Sequence, residues 1–409
     1  MSRFIVMDIV FYGSSLNYDQ GTGNYQELKK ITKWDGRQYT LVSRYALRYS
    51  ILETAKAMNL WNIADAEKLQ LAGEGDKKVI QPSTEILLSG EILNYPEFDL
   101  FGYLITSTTP QNFRTAPVKI SHAVSMTPFN YDALFNANIG LANRMRKRYG
   151  EMSPNPFTAE EHVTFYQYTV VVDLDNIGKI EVYLQDKSDV QLEDGKWKIE
   201  KIVKSNGKIK ITLKKSDKKG KETKKTEESK EIIQDENVNS ELIELEKVKI
   251  LNYSLKQNNE NDPVLKRLEE LVKAILNLKR SIKGRCEDLS PKLMVVGVYK
   301  NRPYKTYKDR IFLRDEFCEE EEITEEPLEN GRKIKVRRVV SKKPVFDVIL
   351  GTTNNKSPSE TDKSDNQTNN ILSEISETET IEFIKQMLDN DKDDGIKVFY
   401  DPSVEVRIK

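Results

Sequence analysis

The chain has 409 residues, with 64 Lys and Arg against 65 Asp and Glu, a formal net charge of −1 and only 2 His. Hydrophobic residues make up 38% and charged residues 32%, which is enough apolar chain for a core beneath a densely charged surface. No apolar run is long enough to cross a bilayer as a helix, and Cys286 with Cys318 cannot by themselves build a disulfide framework or a four-ligand zinc site.

Arg3–Tyr12 alternates, with Ile5, Met7, Ile9 and Phe11 on one face and Val6, Asp8, Val10 and Tyr12 on the other. This predicts a first strand packed on one side and reachable on the other. Asp8 and the lack of a small-residue cleavage site argue against a signal peptide, so a cytoplasmic protein is expected. A polar loop, Ser14–Asn24, follows and contains Gly21-Thr22-Gly23. The Gly-Thr-Gly lacks the third glycine of a dinucleotide fingerprint, yet its amides could cup a phosphate.

Leu41–Met58 reads as an amphipathic helix. Arg44 and Arg48 are four apart and so share a face one turn apart, near a helix N-terminus whose free amides and Ser43 hydroxyl also favour anions. Two guanidinium forks so placed suit consecutive phosphates of one strand; the competing reading is ion pairing with acids such as Glu53. Arg144, Arg146, Lys147 and Arg148 beside Tyr149 combine cations that track a backbone with an aromatic that stacks on bases.

Thr164–Leu174 and Lys179–Leu184 read as strands. Trp197–Lys204 and Lys208–Lys214 flank Asn206-Gly207, the strongest short hairpin signal, with the lysines making a basic ribbon edge. Lys214–Glu231 reads as a disordered insertion, as does the Ser/Thr/Asn-rich Thr352–Asn370. Asp262-Pro263 opens a second helix that runs to about Ile282, closed by Arg280, Lys283, Gly284 and Arg285. Strands are expected at Leu293–Tyr299, Val345–Leu350 and Ile396–Tyr400, and a helix near Ile381–Leu388. The acidic Asp315–Glu329 and the basic Arg332–Lys343 read as solvated loops, the Glu319–Glu322 run being a weak divalent-cation candidate.

The resulting order of strand, helix, strands, helix, strand is that of an α+β, ferredoxin-like or RNA-recognition sheet with helices on one face. The organisation predicted is residues 1–58 as the first part of that sheet (strand, loop and first helix), 59–163 an insertion, 164–213 strands and hairpin, 214–237 the Lys-rich insertion, 238–351 the second helix and later strands, 352–378 a low-complexity loop and 379–409 a closing helix and strands. His122 and His162 are isolated. No P-loop, Ser-His-Asp set or paired metal-ligand spacing is present, so neither an enzyme nor a bound cofactor or metal is expected.

The segments SSLNYDQGTGNYQELKKI, VSRYALRYSI, DLFGYLIT with RTAPVKISHAVSMTPF, and the late LKRSIKGR resemble the DevR-type CRISPR-associated RAMP proteins, over about Met1–Asp173 and more loosely over Leu265–Tyr299. The resemblance implies the repeated backbone subunit of a type I-B Cascade complex. Such a subunit is a right hand with an RRM-like palm and large insertions as fingers and thumb. Copies polymerise along crRNA without sequence preference and present it to target DNA, alongside other Cascade subunits. By similarity, Asn17, Asn24, Arg44 and Arg48 belong to the guide-binding face, Arg114 and Lys119–Met126 (with His122, Ser125 and Met126) to the thumb side, and Lys283 and Arg285 to the late glycine loop. Two alternatives remain: metal-dependent cutting of target RNA of the type III kind, through Asp19 with Asp8 nearby, and a DNA-binding autoregulator, for which no helix-turn-helix signature exists.

Overall fold

The alternation of the first residues becomes β1 (Phe4–Ser14), the centre of a nine-stranded sheet in the computed structural model. Its companions are β2 (Lys30–Thr32), β3 (Gln38–Val42), β4 (Val118–Ile120), β5 (Ala123–Ser125), β6 (Val163–Asp173), β7 (Pro291–Tyr299), β8 (Leu372–Glu374) and β9 (Gly395–Tyr400). The structure describes residues 3–73, 75, 78–215, 228–257, 262–300, 303–327, 333–351, 371–390 and 394–409. Across the sheet the order is β8-β9-β7-β1-β6-β5-β3-β2, with β4 also paired to β6. Asp8 faces Thr169 on β6 and Val295 on β7, both antiparallel.

Four longer helices accompany it: α1 (Arg44–Ala57), α2 (Ile139–Tyr149), α3 (Pro263–Leu276) and α4 (Glu377–Asp389). Helices α1, α3 and α4 bury Leu47, Ile51, Leu271, Ile275 and Ile384 against Ile5, Met7, Ile9 and Phe11. The architecture is α+β, with three helices on one face of a mainly antiparallel sheet.

The other face differs from the expectation of a reachable surface. Val10 lies under Tyr307, Ile311 and Phe346, and Val6 under Tyr299 and Tyr304, so the chain covers its own sheet with residues 303–311 and a long hairpin. Asp8 is fully buried, accepting hydrogen bonds from Thr169 Oγ1 and Tyr307 N, each at 2.5 Å. Burial raises its carboxyl above the ordinary range, and no solvent reaches it as a metal-binding acid would require.

A second apolar core is built from Lys179–Gln185, Val238–Glu244 and Val248–Leu255, a four-stranded sheet over Asp189–Ile233, and the helix Thr84–Ser89. The Asn-Gly turn forms as expected, with Asn206 at φ 52 and Gly207 at φ 77, a mirror-image turn that fits the twist of its strands. Lys208–Lys215 is not a ribbon edge, however. Ser229–Ile233 pairs along its other side, while Ile209, Ile211 and Leu213 point into the core.

Other boundaries also move. Leu41 and Val42 belong to β3, and α1 starts only at Arg44. Asp262 caps α3 through Val264 N, but the helix ends at Leu276 and Lys279–Ile282 pairs with Arg285–Asp288 across a turn in which Lys283 and Gly284 take φ 46 and 78. The acidic and basic blocks are not loops: Ile311–Pro327 and Lys333–Val348 pair with each other, Glu325 opposite Lys335, because opposite charges across a ladder remove the repulsion each strand carries alone. The ends of the Lys-rich run, Lys214–Lys215 and Ser229–Glu231, are strand, and residues 216–227 lie outside the described residues, as does all of Thr352–Asn370. The side chains of Glu319–Glu322 are likewise outside them, and among the described residues no cluster of three metal-ligating side chains occurs.

Candidate nucleic-acid interface

The site grows from the start of α1. Ser43 is extended (φ −64, ψ 146) and its hydroxyl oxygen accepts from Ala46 N at 3.2 Å, a capping role that leaves the O–H free to donate. Asn17 Oδ1, on the loop after β1, accepts from Ser43 N at 2.9 Å, and His122 Nδ1, between β4 and β5, accepts from Arg44 N at 2.9 Å. Of the first-turn amides expected to face an anion, Arg44 N and Ala46 N are therefore held by the protein itself. Burial, then the positive charge of Arg44 and Lys308, lowers the His122 pKa, which keeps the ring neutral and Nδ1 free to accept. Arg280 braces the same helix from the late hairpin, donating to Leu16 O (2.7 Å) and Ser50 Oγ (3.1 Å).

This clamp leaves Arg44, Tyr45 and Arg48 bordering open space while Leu47 packs into the core. Arg44 is exposed, lies over the Tyr45 ring at 5.0 Å and donates to Tyr45 OH at 3.0 Å. Arg48 is half-buried over the Phe101 ring at 5.1 Å, and burial lowers its pKa without making deprotonation relevant at pH 7. Neither guanidinium has an ion pair within 4.0 Å among the described residues, so pairing with Glu53 does not occur there. Together with Lys119 they border an open cleft of about 280 Å³, whose walls also include Tyr45, Phe101 and Val118 and contain no carboxylate. Three cations and two aromatic rings around a space without an acid can hold phosphates and present a stacking surface.

The remaining sequence candidates separate into two groups. Arg144, Arg146, Lys147 and Arg148 lie on α2, no residue of which is buried, so all four cations face solvent. Asn24 is exposed, its carbonyl accepting from Thr158 N at 2.9 Å. Arg114 is a correction. Its side chain is 8% exposed, and it donates to Asp99 Oδ1 (2.5 Å), Asp99 O (3.0 Å), Asn176 O (2.7 Å) and Lys179 O. Arg267 and Gly178 N complete the shell around Asp99, so Arg114 joins the two cores instead of facing a ligand.

Ser125 is also turned inward, buried and donating to Thr127 O at 2.8 Å, and Met126 packs on the covered face of the sheet. Lys283 sits over the Tyr18 ring at 3.6 Å and reaches Gln26 Oε1, while Arg285 pairs with Glu161 at 3.3 Å. With Arg285 also donating to Ser15 O at 3.4 Å, these two pin the hairpin to the loop after β1 and to the segment before β6. Asp19, the candidate of the cutting alternative, is exposed and paired with Lys29 at 3.3 Å. Its pKa is lowered by the bond from Gln20 N and by Lys29.

Three neighbours were not singled out in the sequence. Lys33, Arg37 and Lys308 carry further positive charge beyond the cleft, and Lys308 is within electrostatic reach of both His122 and Lys33. The Asp35-Gly36 pair between Lys30–Thr32 and Gln38–Val42 was an available hairpin signal. No local pattern places Lys308 there, because it arrives through the segment that covers the sheet.

Fold and cleft thus define an α+β protein with a cationic recess, lined by no carboxylate although Glu97 lies within electrostatic reach of Arg48, at the first turns of a clamped helix. The chain belongs to the family described as CRISPR-associated negative auto-regulator DevR/Csa2, whose model matches residues 5–322. A Myxococcus xanthus (strain DK1622) protein described as "CRISPR-associated protein Cas7/Cst2/DevR" is 26% identical over 170 residues, 37% of this chain and 50% of that protein, so the match spans half the relative's length. Among solved structures, a chain of a "CRISPR RNA-guided surveillance complex, pre-nicking" is 12% identical, with a TM-score of 0.40 over 74% of this chain and 80% of that one. A chain of a "CRISPR RNA-guided surveillance complex" scores 0.36 at 12% identity over 74% and 72%. No helix among the described residues is long and apolar enough to cross a membrane.

Proposed function

We propose that this chain is a crRNA-binding backbone subunit of a type I CRISPR surveillance complex, of the type I-B Cascade kind. It grips the guide through its phosphates, repeats along the RNA as a helical filament with other Cascade subunits, and leaves the bases to pair with target DNA. Phosphate contacts fix the position of the guide, and base pairing supplies the sequence choice. The observation that carries this reading is the cleft bordered by Arg44, Arg48 and Lys119, which has no carboxylate in its walls. Family membership supports the CRISPR setting. The central sheet supports an RRM-like palm: in chain order β1, α1, β5, β6, α3, β7 is a split βαβ arrangement, and the spatial order β7-β1-β6-β5 is ferredoxin-like. The second core and α2 stand as its fingers and thumb. The role requires no catalytic step.

The test is to purify the protein from cells carrying a CRISPR array and sequence the nucleic acid that accompanies it. The reading expects short RNAs containing repeat-derived ends and diverse spacers. Duplex DNA with one recurring sequence would favour the autoregulator instead.

A further inference from the structure

The three tryptophans divide sharply. Trp61 and Trp197 are each 4% exposed, whereas Trp34 is 97% exposed at the tip of the β2–β3 hairpin. An aromatic of that size left in water contributes nothing to folding, and the hairpin around it is well fixed. Gly36 N donates to Lys33 O (3.0 Å), Lys33 N to Arg37 O (3.1 Å) and Arg37 N to Asp35 Oδ1 (3.0 Å), while Tyr39 OH donates to Asp35 Oδ2 (2.8 Å). The Lys33 ammonium sits over the Tyr39 ring at 3.8 Å. Gly36, at φ 73, supplies the left-handed residue the turn needs. The indole is therefore held outward by a turn ordered through its backbone and the Asp35 carboxylate.

The charge around it selects the occupant. Lys33, Arg37 and Lys308 surround the turn against Asp35, whose two oxygens are engaged within it, and Asp309. Lys308 also lies within reach of His122 at the start of α1, so positive groups continue from Arg44 to the hairpin. The two ends are separated by β3, five residues and about 16 Å of extended chain, a distance one nucleic-acid strand can bridge. Aromatic faces interleaved with cations are what an unpaired strand needs: the cations meet the backbone and the ring meets a base.

We propose that Trp34 is a stacking platform for a base of the same RNA strand whose phosphates occupy the Arg44–Arg48 cleft. This rests on the reading above and adds to it a contact point at the far end of β3. Because Trp34 is the one tryptophan in water, the native full-length protein reports on it directly. Binding of unlabelled oligoadenylate is expected to quench the long-wavelength tryptophan emission, and Trp34→Phe is expected to abolish that change. In parallel, fluorescence anisotropy of a labelled single-stranded RNA is expected to show roughly 5- to 150-fold weaker binding for Trp34→Ala, the cost of losing one base–aromatic stack. An unchanged thermal midpoint would show that the variant folds.

If RNA binds by anisotropy while the emission stays unmoved and Trp34→Ala binds as tightly as wild type, the stacking role is refuted and the cleft reading stands. If wild type binds no RNA at all, the cleft reading itself has failed. If Trp34→Ala instead shifts the sedimentation of the RNA-free protein with RNA affinity intact, the indole is an anchor for a protein partner, which also overturns the proposal.

Discussion

Arg114→Ala discriminates between the two kinds of arginine in this protein. Arg114 is 8% exposed and its partner Asp99 is 0% exposed. The substitution removes donors from Asp99 Oδ1, Asp99 O, Asn176 O and Lys179 O, leaving Asp99 to Arg267 and Gly178 N. Breaking a buried pair by deleting one partner costs about 3–5 kcal/mol, and the surviving Arg267 keeps the expected loss near the lower end, about 3 kcal/mol. Urea titration followed by circular dichroism reads this as a lower midpoint at similar slope. Affinity for RNA, and its salt dependence, should be unchanged in buffer where the variant is folded. Wild-type stability, or a flattened salt dependence at unchanged stability, would return Arg114 to the interface and refute the assignment.

The histidines give a pH prediction with a definite sign. Burial lowers the pKa of His122, with help from Arg44 and Lys308, and burial alone lowers that of His162. As pH falls below about 6.5 the unfolded chain takes up these protons first, so their contribution to stability is present at neutral pH and lost on acidification. His122→Ala should flatten the stability profile through that window relative to wild type; an identical slope would mean that Arg44 N does not need a neutral ring. Asp19→Ala should leave complementary RNA as intact as wild type does in Mg²⁺, and cutting that vanishes in the variant would establish the nuclease alternative. Replacing Arg144, Arg146, Lys147 and Arg148 together by Ala should change stability by no more than about 0.5 kcal/mol per site, because α2 buries nothing, as urea titration would show.

What the sequence made legible was mostly local. Asn206-Gly207 announced its hairpin because a two-residue turn with two positive φ values favours that pair, and Asp262-Pro263 announced α3 because cap and first position are chemically distinctive. The alternation of Ile5, Met7, Ile9 and Phe11 located the core face of β1. What it hid depends on partners far along the chain. Nothing near Asp8 foretells that Tyr307, 299 residues later, will cover it. The acidic and basic blocks look like loops until each is seen opposite the other. Arg44 and Arg114 are the same residue type in similarly polar surroundings, and only the approach of Asp99 and two carbonyls separates an outward cation from a buried one.

Under the proposed function, the guanidiniums of Arg44 and Arg48 hold the phosphates of an RNA strand. The direct measurement is the salt dependence of RNA affinity for wild type and for Arg44→Ala with Arg48→Ala, on RNAs of unrelated sequence. Two lost contacts should reduce the slope of log K against log salt by about 1.4, at about 0.7 for each single-strand phosphate, and weaken every sequence alike. A folded double variant with the wild-type slope and affinity would contradict the claim.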